Sequence, residues 1–396
     1  MVATTYKILK KELAQELIEI LSYWENHTID NTHDGFLGRI DHYGTVIPKA
    51  HKGIILNTRI LWSFAAASNH LKTKKYQHIC ERAFQYLKTY FWDKKHEGLF
   101  WELDYTGTPI NKRKQVYAQA FGIYAFSEYY KFSNDKSAKA YALTLFNLLE
   151  THAKDTIHGG YIEAFNEDWT AIDDMRLSEK DMNASKTMNT HLHVLEAYTT
   201  LLQIHNNDEV REALKDLILL FRDKFLTKDF HYDLFFDTEW QLLSSSISFG
   251  HDIETAWLLI EAAKAVGDMD LLMQTKAIAL QVAKAFLENG LDTDGAVMNE
   301  ANRNTQHTDT DKHWWPQVEA LVGLKYAFEL SHDENYLDVS QRIWEFTKTH
   351  LKDPVNGEWH FRVDRTGKPY TNEDKVSMWK APYHTSRACI FINSES

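Results

Sequence analysis

The chain has 396 residues, 44% hydrophobic and 25% charged, a balance that builds a large core in an ordinary globular protein. A formal charge of -12 argues against nucleic acid and anionic membrane surfaces, because both are held by clustered Lys and Arg. The two cysteines, Cys80 and Cys389, are too few for a disulfide framework or a cysteine zinc site.

The first segment, Lys7 to Leu13, is charged and amphipathic and lacks the apolar run and cleavage site of a signal peptide. No apolar stretch is long enough to span a bilayer. A cytoplasmic protein, a monomer or weak homodimer, is expected. The next feature is a polar turn with a glycine followed by alternating aromatic and polar residues, His33-Asp34-Gly35-Phe36-Leu37-Gly38. It returns at 97–102, 159–163, 232–237, 294–299 and 356–361. Anchored on Gly35, Gly98, Gly160, Asp233, Gly295 and Gly357, the steps are 63, 62, 73, 62 and 62 residues. Each short alternating segment predicts a small hairpin. Between them the apolar period turns helical, as in Glu81 to Phe91, Ala138 to Glu150, Leu214 to Phe225 and Lys276 to Glu288. With only six prolines, few helices are interrupted.

A unit of this length holds two helices. Six units predict an all-α fold of about twelve helices in one domain, residues 1–396. An open solenoid fits helical pairs too. A closed (α/α)6 barrel with short hairpin loops fits the constant step better, because closure covers both terminal faces.

Each unit also holds a helix that opens on polar or aromatic groups and then turns apolar. These starts are Asn57 to Trp62, Val116 to Phe121, Asn189 to Val194, Gly250 to Thr255, His313 to Glu319 and Pro382 to Arg387. Six such starts predict one ring of side chains around a barrel mouth, the form of a small-ligand cleft. The 12 tryptophans suit a sugar. Asn57 and Asn189 are suited to be N-caps; Asn189 is also a candidate sugar contact. His193 and Glu196, and His251 and Glu254, stand three apart on a helix face, so each Glu is expected to hold its His in one tautomer.

The segments 189–196, 250–254, 314–319 and 379–384 together resemble the N-acylglucosamine 2-epimerase superfamily and, within it, the cellobiose 2-epimerase group. The resemblance spans essentially the whole chain. It implies an (α/α)6 barrel, a metal-free 2-epimerase of β-1,4-linked disaccharides, and His251 with His384 as the acid/base pair; with no Walker loop and no Gly-x-Gly-x-x-Gly fingerprint in the chain, no nucleotide cofactor is expected. It further implies a sugar site of His193, Arg59, Tyr117, Glu254, Trp379 and one of Trp314 and Trp315; Glu319, on the same helix start as the tryptophans, is a further candidate sugar contact.

The chemistry explains the residue types. Once the sugar ring opens, C2 lies beside an aldehyde and its proton can leave to give an enediolate. Bases titrating near neutrality suit this step, which favours histidine. Inversion needs a second group on the opposite face. His193 is the candidate for ring opening, and Arg59 or Tyr117 for stabilising the oxyanion. An aldose–ketose isomerase shares the enediolate and protonates C1 instead. A glycosidase needs two carboxyl groups across the cleft, about 5–10 Å apart; Asp252, Glu254 and Glu319 are available but pair with His or Trp. A sugar-binding protein without catalysis needs no histidine triad. His191 and His193, two apart on a helix, point to different sides and make no zinc pair, so His191 is expected to be structural.

Overall fold

The computed structural model describes residues 2–394, and side chains from Tyr6 onward. Among them are twelve α-helices: α1 (Val2–His27), α2 (Ile54–His70), α3 (Gln77–Tyr86), α4 (Val116–Ser133), α5 (Lys136–Leu148), α6 (Met188–Ile204), α7 (Asp208–Leu220), α8 (Phe249–Val266), α9 (Met269–Asn289), α10 (Trp314–Ser331), α11 (Asn335–Phe346) and α12 (Tyr383–Asn393). The even-numbered helices pack side by side in the order α2, α4, α6, α8, α10, α12 and back to α2, which closes an inner ring. The odd-numbered helices lie outside them, and α1 completes the circle between α11 and α12.

The division follows from the sequence. The outer helices α7 and α11 bury one apolar stripe and leave the rest polar. The inner helices are buried on nearly every side, as in Ile54 through Ser68 of α2. Small residues let them approach closely. A Cβ at Gly323 of α10 would fall 2.5 Å from Ile253 Cγ1 of α8.

The predicted hairpins form at all six places. Their antiparallel bridges join Ile29 to Phe36, Trp92 to Leu99, Lys154 to Tyr161, Leu226 to Tyr232, Leu291 to Val297 and Lys352 to Trp359. In the other five units the bridge falls one or two residues after the anchoring glycine; in the fourth it falls at Tyr232, one residue before Asp233, so the anchor chosen there lies too far along the chain. Short strands then stitch the ring together. The strand before an inner helix pairs antiparallel with the hairpin strand of the next unit, as Lys114–Gln115 does with Ala164–Phe165 and Lys186–Thr187 with Phe235–Phe236. Ile40 pairs with Val376 to close the circle.

Buried ion pairs fix the hairpins. In five units an Asp opens the hairpin turn and accepts the ammonium of a buried Lys: Asp30 with Lys52, Asp93 with Lys114, Asp155 with Lys186, Asp292 with Lys312 and Asp353 with Lys375, all at 2.7–2.8 Å. The second Asp oxygen caps the turn, as Asp93 does for the Lys95 and His96 amides. Each charge is thus both paired and hydrogen-bonded, the condition for burying it at tolerable cost. No helix among the described residues is long and apolar enough to cross a membrane.

Candidate active site

The inner helices begin on one side of the ring, and their first two turns do two jobs. In α4, α6, α8 and α10 the fourth residue points outward and staples the hairpin. Gln119 bonds both the amide and the carbonyl of Leu99 (2.7 and 2.9 Å), and Gln317 does the same to Val297 (2.8 and 2.9 Å). His191 accepts the Tyr161 amide at Nε2 (2.8 Å), while its Nδ1 lies 2.7 Å from the Thr187 carbonyl. This histidine is structural, as its spacing from His193 implied. Two residues further on, about 200° around the helix, the side chain points to the barrel axis. The residues there are Arg59, Phe121, His193, Glu254 and Glu319.

A cleft of about 920 Å³ opens above this ring. Asn189, His251, His313 and Trp379 line it, together with Phe361 and a segment, 175–182, from the longest of the six units. The wall also holds Glu163, whose carboxyl accepts the Thr187 amide (2.7 Å) and the Thr190 hydroxyl (2.6 Å) and is pushed up to about 8 by burial.

Three histidines stand with one ring nitrogen occupied. His384 Nδ1 is 2.7 Å from Glu319 Oε1, His193 Nδ1 is 3.0 Å from Glu196 Oε2, and His251 Nδ1 is 2.8 Å from Ser248 Oγ. Their Nε2 atoms have no protein partner among the described residues. Trp315 joins two of them, with ring centroids 4.7 Å from His251 and 5.5 Å from His384. Arg59 donates to the Tyr117 hydroxyl (2.9 Å) and the Trp379 carbonyl (3.1 Å), and lies over the Phe121 and Tyr383 rings. Tyr117 packs edge-on against His193 and Trp379.

One buried cation holds this set together. Arg387 of α12 bonds Glu196 through Nη1 and both Glu254 and Glu319 through Nη2, the last at 2.7 Å. Tyr383 donates to Glu196 at 2.5 Å. The three carboxylates come from α6, α8 and α10. Burial raises the Glu196 carboxyl, but Arg387 and the hydrogen bonds of His193 and Tyr383 outweigh it and hold the group at about 2. Glu319 shares a guanidinium nitrogen with a second carboxylate, so burial and Glu254 together push it up to about 8. Burial holds His251 down at about 4. It also holds His384 well below its ordinary value, helped by Arg59 and Arg387. Burial therefore favours the neutral form of both rings, and both titrate below the near-neutral range expected from the sequence.

Several sequence expectations change. Asn57 and Asn189 are not N-caps. The caps are Gly53 and Thr187, because α2 and α6 each start straight from a strand whose last residue takes the cap position. Asn57 instead donates to the Gly53 carbonyl at 2.8 Å, and Asn189 Oδ1 is left without a protein partner. Glu254 does not hold His251; it turns to Arg387, and Ser248 takes the ring. Glu319 is fully buried against His384, Arg387 and Trp257, and like His193, His384, Arg59 and Glu254 it stands below the side chains that line the cleft. Of the tryptophan pair, Trp314 is packed on Phe361 and under the Lys380 ammonium, which leaves Trp315 beside the histidines. Sequence reading missed Arg387 as a site residue. Its signal was a lone charge at the head of the apolar run from Ala388 to Ile392.

Glu254, Glu319 and His384 bring ligand atoms within 4.8 Å of one another, a spacing that would suit a metal ion. The Arg387 guanidinium bonds both carboxylates, so the cation that neutralises them is part of the chain. The same sharing puts Glu254 and Glu319 on one side of the barrel axis, not opposed across a cleft as hydrolysis requires.

Comparison with known proteins adds to this geometry. The family profile described as N-acylglucosamine 2-epimerase (GlcNAc 2-epimerase) matches residues 35–388. A cellobiose 2-epimerase of Bacteroides fragilis is 43% identical over 98% of this chain and 100% of its own length. The solved cellobiose 2-epimerase of Bacillus thermoamylovorans superposes with a TM-score of 0.92 at 35% identity, covering 98% of this chain and 99% of that one. A D-mannose isomerase of Marinomonas mediterranea is 25% identical over 90% of each chain.

Proposed function

This chain belongs to the N-acylglucosamine 2-epimerase family, and on that premise we propose that it inverts C2 of the reducing-end glucose of β-1,4-linked disaccharides, with cellobiose and lactose as substrates. The observation that carries the reading is the pair of neutral histidines, His251 and His384, on separate helices with Trp315 between them and Nε2 unpartnered on each. A volume near 920 Å³ is at the upper end for a small-ligand cleft and suits two sugar rings better than one.

The steps follow from the groups. His193, held by the Glu196 carboxylate, passes a proton between ring oxygen and hydroxyl to open the sugar. One of His251 and His384 then takes the C2 proton, and the negative charge gathers on the carbonyl oxygen. Arg59 and the Tyr117 hydroxyl it orients stabilise that oxyanion. The other histidine returns a proton to the opposite face. Glu319, 2.7 Å from His384 Nδ1, fixes the orientation of that ring during the transfer. The aldose–ketose isomerase is the second reading, favoured by the likeness to the Marinomonas mediterranea protein; it differs only in where the proton returns.

Product analysis on cellobiose, lactose, glucose and mannose separates these readings. After exhaustive chelation the disaccharides should yield the C2 epimer at an unchanged rate. Ketose, free hexose, or a rate restored only by zinc or manganese would overturn the proposal.

The two kinds of tryptophan should respond differently. Trp379→Ala should raise KM about tenfold with the fold intact, the equivalent of ~1.4 kcal/mol of lost sugar stacking. Trp314→Ala should instead cost about 3–5 kcal/mol of stability, the usual effect of emptying a large buried site. Thermal melts beside steady-state kinetics separate the two effects.

A further inference from the structure

The fourth unit breaks the rule that the other five obey. Where they place the buried Asp–Lys pair, it has Thr227 and Ile247. Its inner helix α8 is tied to its hairpin in another way. Asp252, the fourth residue of α8, accepts the Tyr232 amide at 2.9 Å and stands 2.7 Å from His231 Nδ1. The matching residues of α4, α6 and α10 are the uncharged Gln119 and Gln317 and the neutral His191. Hence α8 alone among these four is stapled by a titratable ion pair, and α8 is the helix that carries His251, one residue before Asp252.

The pair is sealed from water, with His231 3% and Asp252 1% exposed. The uncharged Asn289 of α9 faces His231 Nε2 at 3.4 Å, and the Phe249 ring packs alongside. The charges around it are Asp229, Asp233 and Arg303, and Arg303 pairs with Asp233 at 2.8 Å and Asp229 at 3.7 Å. On its other flank the first turn of α8 is fixed by the Ser246–Ser248 strand, which pairs with Glu300–Asn302 and brings Ser248 to His251.

We propose that His231 and Asp252 are a positioning pair for His251, and that they hold the first turn of α8 most firmly while His231 carries its proton. This rests on the acid/base role of His251 argued above. Burial works against a charged His231, but Asp252 outweighs it and the ring sits above its ordinary value. A raised folded value gives a contribution that is complete below the unfolded pKa, about 6.5, and is lost as pH rises through the folded value. Deprotonation then leaves a buried carboxylate beside a neutral ring, which strains the turn that sets His251.

The test measures kcat, KM and thermal midpoint of wild type, His231→Gln and the double variant His231→Gln/Asp252→Gln across the range in which histidine titrates. His231→Gln should lower kcat about 10- to 100-fold, the effect of a misplaced catalytic group, with KM within about twofold, and should lose the alkaline limb that His231 sets. The double variant copies the neutral staple of α4 and α10, so it should regain most of kcat and stay flat on that side. In the absence of substrate the wild-type midpoint should fall on the alkaline side and that of His231→Gln should not. A wild type that forms no epimer fails the functional reading, and the midpoints still test the pair. A wild type that forms epimer, while His231→Gln keeps its kcat or its alkaline limb, overturns the inference.

Discussion

Asn in place of His251 or of His384 should each lower the epimerisation rate about 10²–10⁴-fold, the range for a positioned proton-transfer group. Asn keeps a polar side chain of similar size, so the fold should survive. His251 sits on Ser248 and Trp315, and His384 on Glu319 and Trp315. In D2O the epimer formed by wild type should carry deuterium at C2, because each ring exchanges its proton with solvent between turnovers. A ketose labelled at C1 would mark the isomerase. The single variants should also differ by direction. If the two rings work on opposite faces, each should retain some exchange of the C2 proton of the one epimer whose proton faces the surviving histidine, without inversion. Near-normal turnover in both variants would end the assignment.

Arg387→Met should abolish turnover without removing any group from the cleft. Three carboxylates from three helices converge on this guanidinium, and two of them, Glu196 and Glu319, hold His193 and His384. Taking away one partner of a buried charge cluster costs about 3–5 kcal/mol, because the rest stay buried and uncompensated. Arg387→Lys keeps the charge but cannot reach three carboxylates from one nitrogen, so it should stabilise the fold relative to Met and remain far below wild-type activity. The pH dependence gives an independent reading. Glu196 is held at about 2 in the folded state, below the ordinary glutamate value. Its contribution is present above the unfolded pKa, about 4.3, and is lost as pH falls toward the folded one. Wild type should therefore lose stability along that acid limb, and Arg387→Met should show much less of it. A variant with wild-type melting and full activity would remove Arg387 from this role.

The sequence by itself determined the periodic part of the protein. The six hairpins and the six inner helices were legible because each rests on neighbours close in the chain: a turn residue, an alternating pattern, an apolar run of helical period. The structural role of His191 was legible for the same reason, since residues two apart on a helix point to different sides. The pairing inside the ring was not. His384 meets Glu319 across 65 residues, and Arg387 meets Glu196 across 191. Spacing even misled where it looked strongest. Glu254 shares a helix face with His251, yet a buried guanidinium is a stronger partner for a carboxylate than a neutral imidazole, so the side chain turns to Arg387 and Ser248 takes the histidine. The Asn caps failed for a related reason: the strand running into each helix had already filled that position. Helical periodicity decides which residues can point to the axis; only closure of the ring decides which charges meet there, because the partners come from helices 65 to 191 residues apart in the chain.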